Sequence, residues 1–307
     1  MRLLSDREEK KVVAAYIVVC IVWGSTYLGI RIGVSDFPPE LFSGIRNLVA
    51  GSIILMYARV KGLEFPKSGI DIRRLATVGF LLLCGSMGLI SWAEQWVHSG
   101  VVSLIVASNP LMMALIETIL FKENTLGIKG WVGLLIGFGG VGILVMSASG
   151  TGSMDVSGSI LVLLAAFFWA SGSVYSKRFK AAGSAVTHIG IQMLAGGIGM
   201  TTAGLLLGEA SRVRFTVKSM AAMAYLIIFG SILAYSCYMF VLRKWPSARA
   251  ATYAYINPLV AVTLGFLVLG EPITYHTIIS MAVILGGVSM VQVSQASRQQ
   301  KEQKAPS

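Results

Sequence analysis

Trp23, Tyr27 and Arg31 stand four residues apart, so a helix stacks them on one face, two aromatic rings followed by a cation. Such a stripe suits a passage for an organic solute that carries a carboxylate. Trp and Tyr are also common anchors at a membrane interface, so cavity lining and interfacial belt both fit these two rings. The stripe recurs 146 residues on, where Trp169 and Ser173 take the ring positions and Lys177 stands for Arg31.

A second constellation is Asn109-Pro110-Leu111, echoed by Asn257-Pro258-Leu259. A proline inside a helix removes one backbone hydrogen bond and crowds the preceding turn. At membrane depth the freed carbonyls need protein or a wet cavity. Pro110 and Pro258 are therefore expected to face inward, and both asparagines, with Tyr255 beside the second motif, are counted with them as cavity residues. A plain packing kink is the competing explanation. Glu123 and Glu271 follow the two motifs at the same distance and read as interfacial charges at helix ends.

Ionisable residues in apolar surroundings form the third group, because a charge at the bilayer centre costs about 2.5–3.5 kcal/mol on insertion scales. Arg31, Arg46, Glu94 and Gln95 fall at similar depth and are expected to form an outer-gate network, with snorkelling to the headgroups as the alternative for each arginine. Glu117, two turns past Asn109, is either a group for proton or cation coupling or a packed neutral carboxyl. Its counterpart in the second half is Gly265, which carries no acid.

Other chemistries lack their residues. His98, His188 and His276 are isolated in the sequence, and there is no zinc-protease H-E-x-x-H, no serine nucleophile elbow and no phosphate-binding G-x-x-x-x-G-K-[ST]. The three cysteines sit singly in apolar stretches and suggest neither disulfide nor metal site. The expectation is a chain without enzyme activity, metal or cofactor, driven by an ion gradient or by the gradient of its own solute.

The elements that position these residues follow from composition. Of 307 residues, 55% are hydrophobic and only 13% charged, with a mean hydropathy of +0.75, too apolar for a soluble core. A crossing helix needs about 20 mainly apolar residues. Ten candidates lie near 13–34, 41–59, 75–97, 99–121, 129–147, 158–177, 184–207, 219–241, 248–269 and 275–294. Residues 1–12 read as a retained cytoplasmic leader, 148–157 as a linker and 295–307 as a cytoplasmic tail. Twenty of the 25 Lys and Arg fall in the segments that are cytoplasmic if the N-terminus is inside, which places both termini there. The formal charge of +11 is scattered over these short loops. Anionic membrane lipid explains it, and nucleic acid does not.

One offset runs through the chain: Asn109 and Asn257 are 148 apart, Trp23 and Trp169 146, and the Gly-Gly-Val at Gly139 and Gly286 147. The protein is thus a duplicated five-span unit, 13–147 and 158–294. Five is odd, so the second copy is inserted upside down, and the charges agree: the first and third loops of copy one hold no Lys or Arg, while their counterparts hold three each. Inverted repeats of this kind are a transporter architecture with the site near the midplane. Gly133 with Gly137, and Ala282 with Gly286, form small-residue faces that make the fifth and tenth spans structural, in a monomer or a homodimer.

At these residues the chain resembles the drug/metabolite transporter superfamily, EamA type, and especially the YedA-like bacterial exporters. The likeness rests on "WGSTYLGIRIG" from Trp23, "PPELFSGIRNLVAG" from Pro38, "WAEQ" from Trp92, "WASGSVYSKR" from Trp169 and "TYAYINPLVAVTLG" from Thr252. It implies an all-α membrane protein of ten helices in two inverted repeats. It implies a central cavity and export of amino acids, related metabolites or drugs across the bacterial inner membrane, with lipid-linked sugars as a further alternative.

Overall fold

The structure, a computed structural model, describes residues 6–121, 126–149 and 156–304. Among them, ten helices are long and apolar enough to cross a membrane: α1 Arg7–Gly33, α2 Pro39–Val60, α3 Gly69–Ala93, α4 Ser99–Ile119, α5 Ile128–Met146, α6 Val156–Ser176, α7 Ala185–Leu206, α8 Val217–Lys244, α9 Ala251–Leu269 and α10 Tyr275–Gln295. Ten crossings put both chain ends on one face, the termini face; the other is the far face. The helix of α1 already begins at Asp6, within the expected leader, and that of α10 runs on to Lys304, through most of the expected tail. Glu123 lies outside the described residues.

Local chemistry sets the boundaries. Ser68 accepts a hydrogen bond from the Ile70 amide, and so starts α3 six residues earlier than hydropathy suggests. Thr216 and Ser219 form a reciprocal cap on α8. Two caps come from distant chain. Glu209, after α7, accepts from the Leu41 amide at 2.9 Å at the start of α2. Glu271, after α9, accepts from Ser99 N at 3.0 Å, Ser99 Oγ at 2.9 Å and Gly100 N at 3.2 Å at the start of α4. Glu271 is therefore not an interfacial charge; it is buried, satisfying donors that a helix start leaves free.

Four spans are irregular where they pass the middle of the bundle. The centre of α3, Phe80–Gly88, and that of α8, Leu226–Tyr235, are π-helical, and they occupy equivalent positions in the two repeats. The fourth span is interrupted at Ala107 and Ser108 and restarts at Asn109. The ninth opens as a 3-10 turn, Ala251–Tyr255, and becomes an α-helix at Asn257. Both Asn-Pro pairs thus restart a helix at its first positions, where proline's missing N–H costs least.

Packing follows the inverted duplication. The spans touch as α2 with α7, α4 with α9 and α5 with α10, and as α1 with α8 and α9, matched by α6 with α3 and α4. Exchanging each span for its counterpart five places on maps this set onto itself. Apolar burial cannot drive such pairing in lipid, so close backbone approach does. At the α2–α7 seam, a Cβ on Gly51 would meet Met193 Cβ at 3.0 Å, and one on its counterpart Gly197 would meet Leu48 N at 2.8 Å. In the α5–α10 pair Gly133 faces the partner and the backbone of Gly137 lies beside it, although a Cβ on Gly137 would meet Leu111 of α4; Gly287 is the residue that meets both, and Gly286 has nothing within 4 Å. The expected Ala282–Gly286 face is displaced by one residue, a rotation of about 100° on a helix.

Candidate functional site

The irregular segments surround the middle of the bundle. A cavity of about 20 Å³ lies there, lined by Trp23 and Tyr27 of α1, Ser86 and Met87 of α3, Asn109 of α4, Trp169 of α6 and Tyr253 of α9, among others. It has room for about one water molecule. Trp23, Trp169 and Tyr253 of its lining join Tyr238 in a box of four rings, in which Trp23 and Tyr238 each touch the other three. Trp23 meets Trp169 at 5.2 Å and 81°, Tyr238 at 4.9 Å and Tyr253 at 5.2 Å; Tyr238 meets Trp169 at 5.2 Å. Trp23 and Trp169 are counterparts in the two repeats, so the box straddles the symmetry axis.

The polar atoms of the box differ in how they are met. Trp23 Nε1 donates to Gly230 O at 3.3 Å, a carbonyl in the π-helical centre of α8. The Tyr238 hydroxyl pairs with Ser173 Oγ at 2.7 Å. Trp169 Nε1 and Asn109 Oδ1 are buried without a well-formed hydrogen bond, the Tyr238 and Tyr253 hydroxyls reaching the indole and the Tyr253 hydroxyl the amide only loosely. One donor and one acceptor therefore border the cavity weakly met, although a buried polar group normally finds a good partner. Asn257, oriented so that its amide is satisfied, donates to Tyr253 O at 3.2 Å and Cys20 O at 2.9 Å. It ties α9 to α1 and is outside the cavity lining.

Wide vestibules open at either end. The far vestibule holds about 550 Å³ and is lined by Arg31, Glu94, Gln95, His98, Lys218 and Glu271, among others. The vestibule on the termini side holds about 410 Å³, with Lys177, Lys180, Arg243, His188 and Gln192 among its lining and no carboxylate there among the described residues. There the Lys177 amine donates to Trp245 O at 2.8 Å. His188, isolated in the sequence, is bridged in space: its Nε2 donates to Ala182 O at 2.7 Å and its Nδ1 accepts from Arg243 at 2.8 Å. This is the neutral imidazole with one tautomer fixed.

Between the centre and the far vestibule stands the expected gate group. An Arg31 Nη1 donates to the backbone carbonyl of Glu94, and Gln95 Nε2 turns back to Trp92 O at 3.1 Å. Glu94 sits just past the end of α3, in the connection 94–98, and its carboxyl is fully buried with neither oxygen hydrogen-bonded. Burial pushes that carboxyl well above the usual carboxylate range, against Arg31 and with Glu271. Burial also lowers the neighbouring His98, favouring its neutral form. Arg46 is equally buried, with Met87 Sδ at 3.8 Å from Nη2 and nothing on Nε. Arg31, Glu94 and Gln95 thus line the far vestibule together, while Arg46 rests on Met87 outside that lining, and the bond Arg31 makes is from a side chain to a backbone carbonyl.

A search of known families decides what this arrangement belongs to. The EamA-like transporter family matches residues 10–146 and again 156–293. The chain belongs to that family. Within it, the uncharacterized inner membrane transporter YedA of Escherichia coli (strain K12) is 36% identical over 278 residues, 90% of this chain and 89% of YedA. Protein PagO of Salmonella typhimurium is 25% identical over 282 residues, 91% of this chain and 92% of its own. A solved crystal structure superposes over 96% of this chain and 99% of its own at 17% identity, with a TM-score of 0.66, which speaks to the fold alone. The EamA fold, two inverted repeats of five helices, matches the pairing of spans seen here.

Of the residues singled out in the sequence, this EamA protein brings Trp23, Tyr27, Asn109 and Trp169 around one cavity. Ser173 stands behind them, on Tyr238. Pro110 is buried at the restart of the fourth span, and Pro258 at that of the ninth. Tyr255 turns away from the centre, its place taken by Tyr253. Glu117 is half-buried on the fourth span and outside the three cavities. Sequence reading missed Tyr238 and Tyr253, and also Gln192, the counterpart of Arg46, which accepts from Tyr235 OH at 2.9 Å.

Proposed function

We propose that this EamA-family transporter exports amino acids or related small metabolites across the bacterial inner membrane by alternating access, with the termini face in the cytoplasm. The supporting observation is the shape of the interior: a narrow aromatic centre of about 20 Å³ between vestibules of about 410 and 550 Å³ at opposite ends. That is the form of a carrier caught with both sides shut, not of a pore or an enzyme pocket. Solute enters the cationic vestibule beside Lys177, Lys180 and Arg243, whose charges favour a carboxylate. It then opens the ring box by rocking of the repeats and leaves past Arg31 and Glu94. Trp23, Tyr27, Asn109 and Trp169, with Tyr238 and Tyr253, are the contact residues in this reading. Arg31, Arg46, Glu94 and Gln95 are the gate. Proton coupling, where present, runs through Glu94 rather than the half-buried Glu117. The inner membrane location follows the printed name of YedA.

Purified protein in liposomes tests this. Vesicles loaded with unlabelled leucine should accumulate external radiolabelled leucine by counterflow, saturably and only with protein present. Absence of counterflow for leucine and for the other nineteen common amino acids would remove the amino-acid reading.

A further inference from the structure

Arg46 and Glu94 are a buried guanidinium and a buried carboxyl that do not satisfy each other. The Glu94 carboxyl is fully enclosed, and neither oxygen has a hydrogen-bond partner. Arg46 is 4% exposed, its Nε unmet and one Nη resting on a thioether sulfur. No ion pair joins either residue to another among the described residues, although the two are near enough to feel each other's charge. A buried polar group left without a partner is costly to the fold, so two such groups near one another point to a partner that the protein itself does not supply.

Position says what the gap adjoins. Arg46 touches Met87, which lines the central cavity. Glu94 follows Ile90 by one helical turn, its amide bonded to Ile90 O at 2.9 Å, and Ile90 lines the same cavity. On its other side Glu94 borders the far vestibule. The pair therefore flanks the end of the cavity through which solute would leave. The second repeat has no equal: the counterpart of Arg46 is Gln192, already bonded to Tyr235, and the Glu94 region corresponds to the apolar stretch around Phe240. The charges break the symmetry at one end only.

We infer that Arg46 and Glu94 form a recognition pair for a zwitterion, Arg46 taking the carboxylate and Glu94 the ammonium of one α-amino acid. The inference rests on the amino-acid reading above and deepens it by assigning each end of the solute. A guanidinium offers planar donors matched to a carboxylate, and an ammonium offers three donors to the two vacant carboxyl oxygens. A solute carrying both groups on one carbon meets both unmet side chains at once, whereas an acid or an amine meets one and leaves the other buried alone. That asymmetry gives selectivity. The apolar part of the solute then faces the ring box.

Binding to the full-length protein in detergent is titrated by isothermal titration calorimetry, with leucine, 4-methylpentanoate, which lacks the ammonium, and 3-methylbutylamine, which lacks the carboxylate. The wild type should bind leucine at least tenfold more tightly than either. Glu94→Gln should bring leucine level with the acid, and Arg46→Gln should bring it level with the amine. Arg46→Lys, which keeps the charge, should restore part of the preference for leucine over the amine, and so serves if Arg46→Gln folds poorly. Variants that keep the wild-type ratios would overturn the pairing while leaving the amino-acid reading intact. A wild type that shows leucine counterflow but no preference over the acid and amine would do the same, and one that neither binds nor carries any amino acid would sink both.

Discussion

Trp169→Phe lowers amino-acid flux by about tenfold or more while leaving the melting temperature in detergent unchanged or raised. The indole N–H borders the cavity and makes no well-formed hydrogen bond within the protein, only loose contact with the Tyr238 and Tyr253 hydroxyls, so its removal costs the fold little in hydrogen bonding. A buried donor left unmet costs about 1–3 kcal/mol, and a solute that meets it on binding recovers that amount, which is the size of the expected loss. Trp23→Phe is the matched comparison. There the indole bonds to Gly230 O, so stability falls along with flux. Equal effects of the two substitutions on melting temperature would return Trp169 to a packing role.

Glu271→Ala costs about 3–5 kcal/mol of stability, the largest effect of any substitution outside the central cavity. The carboxylate meets two backbone amides and a hydroxyl at the start of α4, and alanine would strand all three donors at the buried edge of the far vestibule. Thermal unfolding followed by circular dichroism reads the loss. Glu9→Ala is the control: its partner Arg249 lies at 3.6 Å, and both side chains are about half exposed, so removal costs under about 1 kcal/mol. A Glu271→Ala protein that melts with the control would contradict the capping role.

How much of this was legible in the sequence depended on whether a feature lives within one span. Hydropathy gave ten spans because each must be apolar over its own length, and the 146-residue offset gave the duplication. Trp23 and Tyr27 were recognisable because α1 is regular there and helical spacing holds. In the ninth span the same reasoning favoured Tyr255, yet the 3-10 turn over Ala251–Tyr255 winds three residues per turn and presents Tyr253 instead. The π-helical centres of α3 and α8 carry no distinctive residue type, so Tyr238, placed by the widened turn before it, left no sign. Glu271 looked like an interfacial charge because its partners, Ser99 and Gly100, are more than 170 positions away. Glu94 was visible as an acid near the membrane, but that neither arginine pairs with its carboxyl is a matter of side-chain reach that spacing does not encode.

Alternating access at the ring box is the central claim, and labelling of one cysteine at Ser86 tests it most directly. Ser86 is 1% exposed and lines the central cavity. With Cys20, Cys84 and Cys237 replaced, Ser86→Cys is placed in membrane vesicles of each orientation and treated with a maleimide that does not cross lipid. Slow labelling from either side is expected, with excess leucine changing the two rates in opposite directions as the solute shifts the population of the two open forms. Labelling from one side only, or equal rates untouched by leucine, would contradict a carrier that opens its centre alternately to each face.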